Sequence, residues 1–243
     1  MNDIGNGCEH SFARKAPPMQ HLIGKRILVT QSQDFMGPAL CEALAGYGAE
    51  VVADARIPTH PEDPQAIVQA AGPIDVLVLN LALPAPSTRV TEVDDEEWRR
   101  IFEVIVDPLP RFMRAVVPGM KARGGGQVIV IGSASALRGS KRVATYSAAR
   151  GAQLAFVQSV GVELAPDNIQ VNAIAQNFVE NPTYFPPEVQ ANPRFQERLQ
   201  REVPLGRLVS AAEDCAMVAH LCSDMGKCFV GQVFPVCGGW AVR

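Results

Sequence analysis

A serine, a tyrosine and an arginine fall within SASALRGSKRVATYSAAR, residues 133–150, and their types and spacing suit proton transfer. Ser133 follows QVIVIG, the pattern of a buried strand, and so stands at a strand's C-terminal end. Tyr146 and Arg150 are four apart at the start of a long small-residue helical pattern, SAARGAQLAFVQSVGVELA. That spacing puts them on one face, about 6 Å from each other. A cation beside a phenol favours the phenolate: tyrosine ordinarily ionises near pH ~10, and each unit of depression needs ~1.4 kcal/mol, which a partly desolvated guanidinium can supply. Tyr146 becomes a candidate general base, with Ser133 thirteen positions upstream as a hydrogen-bonding partner. Tyr-x-x-x-Arg alone is a common surface pair on helices. The context I-G-S-x-S before it, at the strand end where open parallel sheets bind ligands, is what marks this one as functional.

The arrangement resembles the active site of the short-chain dehydrogenases and reductases, with Arg150 where that family has Lys. In the resembled family the Lys also holds the nicotinamide ribose. A permanently charged guanidinium would keep mainly the task of acidifying the tyrosine.

The elements that must carry these residues fit one α/β domain, a three-layer doubly wound parallel sheet of Rossmann type. With 243 residues and 47% hydrophobic content the chain can bury such a core. A net charge of -3 gives no footprint for nucleic acid, and no apolar run approaches a membrane span. Six cysteines, at 8, 41, 215, 222, 228 and 237, show neither C-x-x-C nor zinc spacing, so reduced thiols in a cytoplasmic, metal-free protein are expected. Residues 1–24 lack periodicity and the apolar core of a secretory signal, and read as a mobile extension before a catalytic domain over 25–243. RILVT followed by GPALCEALAGYG is then a first βα unit.

Where the resembled family carries a glycine-rich turn for the pyrophosphate, this chain reads Thr30-Gln31-Ser32-Gln33-Asp34-Phe35-Met36-Gly37. Phe35 is expected to fill the phosphate's volume, unless the loop bends outward and still admits a nucleotide. Asp54 ends the second strand, where an acid could hold an NAD ribose, yet only twenty residues separate it from the next strand at Asp75. That leaves room for one helix, a shortened adenine wall, and an Asp54 that is merely solvated or capping. Asp94 is expected to cap the next helix, with Glu97 completing a capping box and Trp98 opening the apolar face. Ile105 stands where the family's relay Asn would be. Small residues Ala148, Ala152, Ala155 and Ser159 would let helices of neighbouring subunits approach, or would simply pack on the sheet.

After the strand IQVNAIA comes Gln176-Asn177-Phe178-Val179-Glu180-Asn181-Pro182-Thr183-Tyr184-Phe185-Pro186, not the family's nicotinamide-holding Pro-Gly and Thr. Successive N–H groups in such a turn can cradle a large anion between Phe178 and Phe35, although an ordinary aromatic loop over the core is the alternative. The ending P-L-G-R…G-Q-x-F-x-x-x-G-G again resembles the dehydrogenases, so the likeness spans residues 25–243. Ser-Tyr-Arg together with T-x-x-x-x-F-x-G and N-F-V-E-N-P-T-Y-F-P is similar to the halohydrin dehalogenases. That resemblance implies Ser133, Tyr146 and Arg150 as catalytic residues and a halide site at Phe35, Gln176, Asn177, Phe178 and Val179. It also implies a substrate pocket at Pro84, Leu137, Ser140, Tyr184 and Phe185, no nicotinamide or other cofactor, no metal, and a homotetramer. The implied reaction closes a vicinal halohydrin to an epoxide, or opens an epoxide with azide, cyanide or nitrite. A divergent NAD(P)-dependent reductase and a silent ligand-binding protein on the same fold are the other two readings.

Overall fold

A computed structural model describes residues 21–242. Six parallel strands form one sheet in the order β2-β1-β3-β4-β5-β6. In chain order they are β1 (Arg26–Val29), β2 (Glu50–Ala53), β3 (Val76–Leu79), β4 (Gly126–Ser133), β5 (Ile169–Gln176) and β6 (Val233–Val236). The helices are α1 (Gly37–Gly46), α2 (Asp63–Ala71), α3 (Asp95–Ile105), α4 (Pro108–Ala122), α5 (Ala144–Leu164), α6 (Pro187–Gln190), α7 (Pro193–Glu202) and α8 (Ala211–Cys222). The doubly wound sheet expected from the sequence is thus present.

Strands β3, β4 and β5 are almost continuously buried because both of their faces are covered. One core, with Leu77, Val128, Val130 and Val171, lies under α2, α4 and α5; the other, with Ile27, Val76, Ile129 and Ile174, lies under α1 and α8. Helix starts follow local chemistry. Asn192 caps α7, Ser210 and Glu213 form a reciprocal capping box on α8, and prolines occupy the first turns of α1, α2, α4 and α7.

The expected extension over 1–24 lies outside the described residues except for 21–24. Those four form a turn in which Leu22 is fully buried and its amide donates to the Tyr47 carbonyl.

Three local expectations are corrected. Asp54 does cap the chain locally, its Oδ1 accepting from the Arg56 N–H at 3.0 Å, but it is not merely solvated: it is paired with the Arg56 guanidinium at 2.6 Å, and that hydrogen-bonded pair pushes the arginine's proton affinity up. Asp94 does cap α3 through Glu97 N–H at 2.7 Å, but the Glu97 carboxylate does not reach back to it. It accepts instead from Thr88 Oγ1 and Thr145 Oγ1, tying the loop after β3 to the start of α5. Trp98 is 46% exposed and stacks on Phe102, leaving Ile101, Val104 and Ile105 as the buried stripe of α3. On α5 the buried residues include Ala149, which packs with Ile101 and Ile105 of α3, and Gln153, Leu154, Val157 and Gly161, while Ala155 and Ser159 are exposed.

Candidate active site

The strands deliver their C-terminal ends to one crevice, and it is there that the polar residues converge. Ser133 closes β4, Gln176 closes β5, and Thr30 and Asn80 follow β1 and β3. Above them is a cavity of about 290 Å³, lined among others by Phe35, Ser133, Ser140, Tyr146, Arg150, Gln176, Asn177, Phe178, Val179, Tyr184, Phe185 and Trp240. Its basic lining residues are Lys141, Arg150 and Arg198, and among the described residues no carboxylate lines it. Of the residues expected at the site, Pro84 and Leu137 are not in the lining. Pro84 is exposed on the loop after β3, and Leu137 packs onto the core just beyond the short 3-10 segment Ala134–Ala136.

Tyr146 and Arg150 sit one turn apart on α5, both buried. The Arg150 guanidinium lies over the Tyr146 ring, 5.0 Å from its centroid, and is held there by three acceptors. Its Nη1 donates to the carbonyls of Leu81 and Ile131, each at 3.0 Å, and to Gln153 Oε1 at 2.8 Å. Gln153 in turn donates to the Ile105 carbonyl at 2.9 Å. This fully buried amide was not singled out from the sequence, although its position three residues after Arg150 puts it on the same helical face. A buried cation so fixed places permanent positive charge against the phenol in a site of low dielectric. Ser133 Oγ is 2.9 Å from Ser135 Oγ and accepts from the Ser135 N–H, so its hydroxyl is oriented.

The turn after β1 is closed by its own side chains. Gln31, fully buried with φ of 43°, makes two bonds to one residue: Nε2 donates to the Ala82 carbonyl at 3.0 Å, and Oε1 accepts from the Ala82 N–H at 2.8 Å. Asn80 Nδ2 donates to the carbonyls of Gln31 and Asp34, and a Cβ at Gly37 would collide with the Gln31 carbonyl oxygen. Phe35, with φ of 51°, directs its ring toward Tyr184, 5.7 Å between centroids. A dinucleotide needs bare backbone in such a turn for its pyrophosphate, and a free acid at the end of β2 for its ribose. The residues present do not fit one: an amide and a phenyl ring fill the turn, and Asp54 is committed to Arg56.

The loop after β5 forms the opposite wall. Phe178 has φ of 52°, so the backbone there turns its amides in the manner of an anion nest. One part of the expected nest is corrected: the Phe178 N–H already donates to Asn177 Oδ1 at 2.9 Å, whereas the Val179 N–H has no partner among the described residues. The Phe178 ring packs against Phe185 and Trp240, with the Arg198 guanidinium over it at 5.2 Å. Trp240 lines the cavity as well, fixed by Arg138, which donates to its carbonyl at 2.6 Å and covers its ring. Tyr184 joins the two loops, its hydroxyl accepting from the Ala85 N–H at 2.8 Å and donating to the Leu83 carbonyl at 3.3 Å. Burial, and then the neighbouring Tyr146, push its phenol up to about 12, so Tyr184 stays neutral. Among the described residues no group of three His, Cys, Asp or Glu could hold a metal, and no helix is long and apolar enough to cross a membrane.

Comparison with known proteins places this geometry. The family model described as Enoyl-(Acyl carrier protein) reductase matches residues 24–241. Dehydrogenase/reductase SDR family member 4 of Homo sapiens is 30% identical over 251 residues, covering 91% of this chain and 89% of that protein. A solved structure described as a dehalogenation enzyme superposes with a TM-score of 0.85 at 35% identity, covering 91% of this chain and all of the other, 100%. L-sorbose reductase from Gluconobacter frateurii, complexed with NADPH and L-sorbose, gives 0.83 at 26% identity over 90% of this chain and 97% of its own.

Proposed function

The chain belongs to the short-chain dehydrogenase/reductase family, and from that premise we propose that it is a halohydrin dehalogenase that works without a nicotinamide. The observation that carries this reading is that Ser133, Tyr146 and Arg150 line one cavity while Gln31 and Phe35 fill the dinucleotide turn beside it. Ser133 donates a hydrogen bond to the substrate hydroxyl oxygen, and Tyr146, as phenolate over the Arg150 guanidinium, takes the hydroxyl proton. The alkoxide forms a bond to the neighbouring carbon as the carbon-halogen bond breaks, its electron pair leaving with the halide. Epoxide and halide are the products, and the proton on Tyr146 passes to water. Because nucleophile and electrophile share one molecule, orientation and charge placement are most of what the protein must contribute.

The halide is received between Phe35 and the loop 176–179, where the Val179 N–H is free to donate and the lining carries cations without carboxylates. In reverse, Tyr146 protonates the epoxide oxygen while a small anion from the same position opens the ring. Similarity at 35% identity to a dehalogenation enzyme supports this reading. The outward small face of α5, with Ala155 and Ser159, supports a homo-oligomer, proposed as a tetramer and tested by light scattering at micromolar concentration. The five cysteines of the described residues are free, which supports a reducing, cytoplasmic setting.

A second reading, a divergent nicotinamide-dependent reductase, is favoured by the relatives at comparable similarity that are reductases, one of them solved with NADPH. One experiment separates the two. Purified protein is given a simple vicinal chloro-alcohol and, separately, a ketone panel with NADPH or NADH. Halide release independent of nucleotide supports the dehalogenase; nucleotide oxidation, or micromolar nucleotide binding by calorimetry, supports the reductase.

A further inference from the structure

Behind the loop that receives the anion lies a carboxyl group for which the proposed chemistry has no use. Asp214, in the first turn of α8, is 0% exposed. Its Oδ2 accepts from Gln176 Nε2 at 2.5 Å, and its Oδ1 has no hydrogen-bond partner. Gln176 lines the cavity and leads directly into Asn177-Phe178-Val179, so one amide side chain separates this carboxyl from the anion's position. Burial pushes the Asp214 carboxyl up to about 7, against the opposing effect of the Gln176 hydrogen bond.

The charged and titratable surroundings do not offset an ionised Asp214. Helix α1, packed on α8, brings Cys41 and Glu42 to this region, where they act on Cys215; β5 brings only Gln176. On α8 itself Cys215 is a buried thiol pushed up to about 12, and Glu213 is turned to Arg207 and Ser210. Across the cavity stand Tyr146, Tyr184, Lys141, Arg150 and Arg198, and among the described residues no ion pair reaches Asp214.

We propose that Asp214 is a positioning residue that ties anion binding at the Gln176–Val179 loop to uptake of a proton: the neutral carboxyl admits the anion and the carboxylate expels it. The inference rests on the anion-site reading above. Two negative charges one side chain apart in a buried region repel strongly, so each weakens the other's presence by the same factor. Oδ2 is engaged by Gln176, which leaves the orphaned Oδ1 to take the proton. Above neutrality the enzyme would shed halide and favour the epoxide; below it the loop would retain an anion for ring opening.

Calorimetric titration of the full chain with bromide, from pH 6 to pH 8 and in two buffers of different ionisation enthalpy, tests this. The expected result is a Kd that rises about threefold or more across the range, with fractional proton uptake near pH 7. Asp214→Asn should bind bromide with the wild-type low-pH Kd at every pH and take up no proton. A structural role alone would not move the proton count. Wild-type binding with no proton uptake and a flat Kd overturns the linkage and leaves the anion site standing, as does an Asp214→Asn variant that keeps the wild-type pH dependence. No bromide binding at any pH overturns both.

Discussion

The two halves of the cavity have diverged to different degrees. On the β4 and α5 side, Ser133, Tyr146 and Arg150 keep the spacing and placement of a family built to move protons at a strand end. On the β1 and β5 side Gln31, Phe35, Phe178 and Tyr184 occupy the space with side chains that hold each other and the strand exits. Acid-base chemistry is a property of a few atoms and survives on a rigid helix. Binding a dinucleotide needs open space beside bare backbone, and in this turn Gln31 and Phe35 take up that space.

Changes on the rebuilt side should register first in stability. Asp214 keeps its proton up to about 7 when folded but releases it near the ordinary 3.8 when unfolded. The native state therefore loses stability as pH rises between those values and none further above about 7. Asp214→Asn removes that loss, so its gain in chemical-denaturation stability over wild type should grow from pH 4 to pH 7, toward at most about 4 kcal/mol, and then level off. A gain that does not depend on pH would show that the carboxyl is not protonated in the folded state.

On the retained side, Tyr146→Phe keeps the packing and deletes the ionisable oxygen, so halide release and epoxide opening should both fall at least ~100-fold with Tm unchanged. Wild-type rates would move the base elsewhere and erase the contrast between the two halves. Gln31→Gly recreates the glycine of the dinucleotide turn and should cost about 1–3 kcal/mol of stability, since the Ala82 amide and carbonyl lose their partner inside the protein. Even with Phe35→Gly added it should not bind NADPH, because Asp54 stays paired with Arg56 and the loop after β5 is unchanged. Micromolar NADPH binding by that double variant would mean the turn alone had closed the site. The smallest effect is expected from Arg150→Lys, which keeps a cation but not the fixed fork over the ring; reduced but measurable halide release should remain.

Local pattern made the layers legible: short continuous apolar strand runs and helices with proline starts are local signals, and the strand-end Ser and the Tyr-x-x-x-Arg pair ride on them. The filled turn was visible because it replaces glycines by large residues within eight consecutive positions. What stayed hidden depends on distant partners. Nothing near Gln31 reveals that its amide will grip Ala82, nor that Gln153 will bridge Arg150 to Ile105, nor that Asp214 will lie beneath Gln176. Glu97 shows the same limit in reverse: a correct local signal for a capping box was overridden by two threonine hydroxyls brought in by the tertiary fold. Trp240 reaches the cavity only because β6 lays the chain end beside β5, with Arg138 waiting for it.

The proposed chemistry is expulsion of halide by intramolecular displacement without a nicotinamide. Its most direct test is halide release from a vicinal chloro-alcohol by nucleotide-free protein, followed by ion-selective electrode with and without added NADPH. The account predicts release at the same rate in both conditions, with epoxide formed in equal amount and no NADPH consumed. No halide release, with NADPH oxidised on a carbonyl substrate instead, would contradict it.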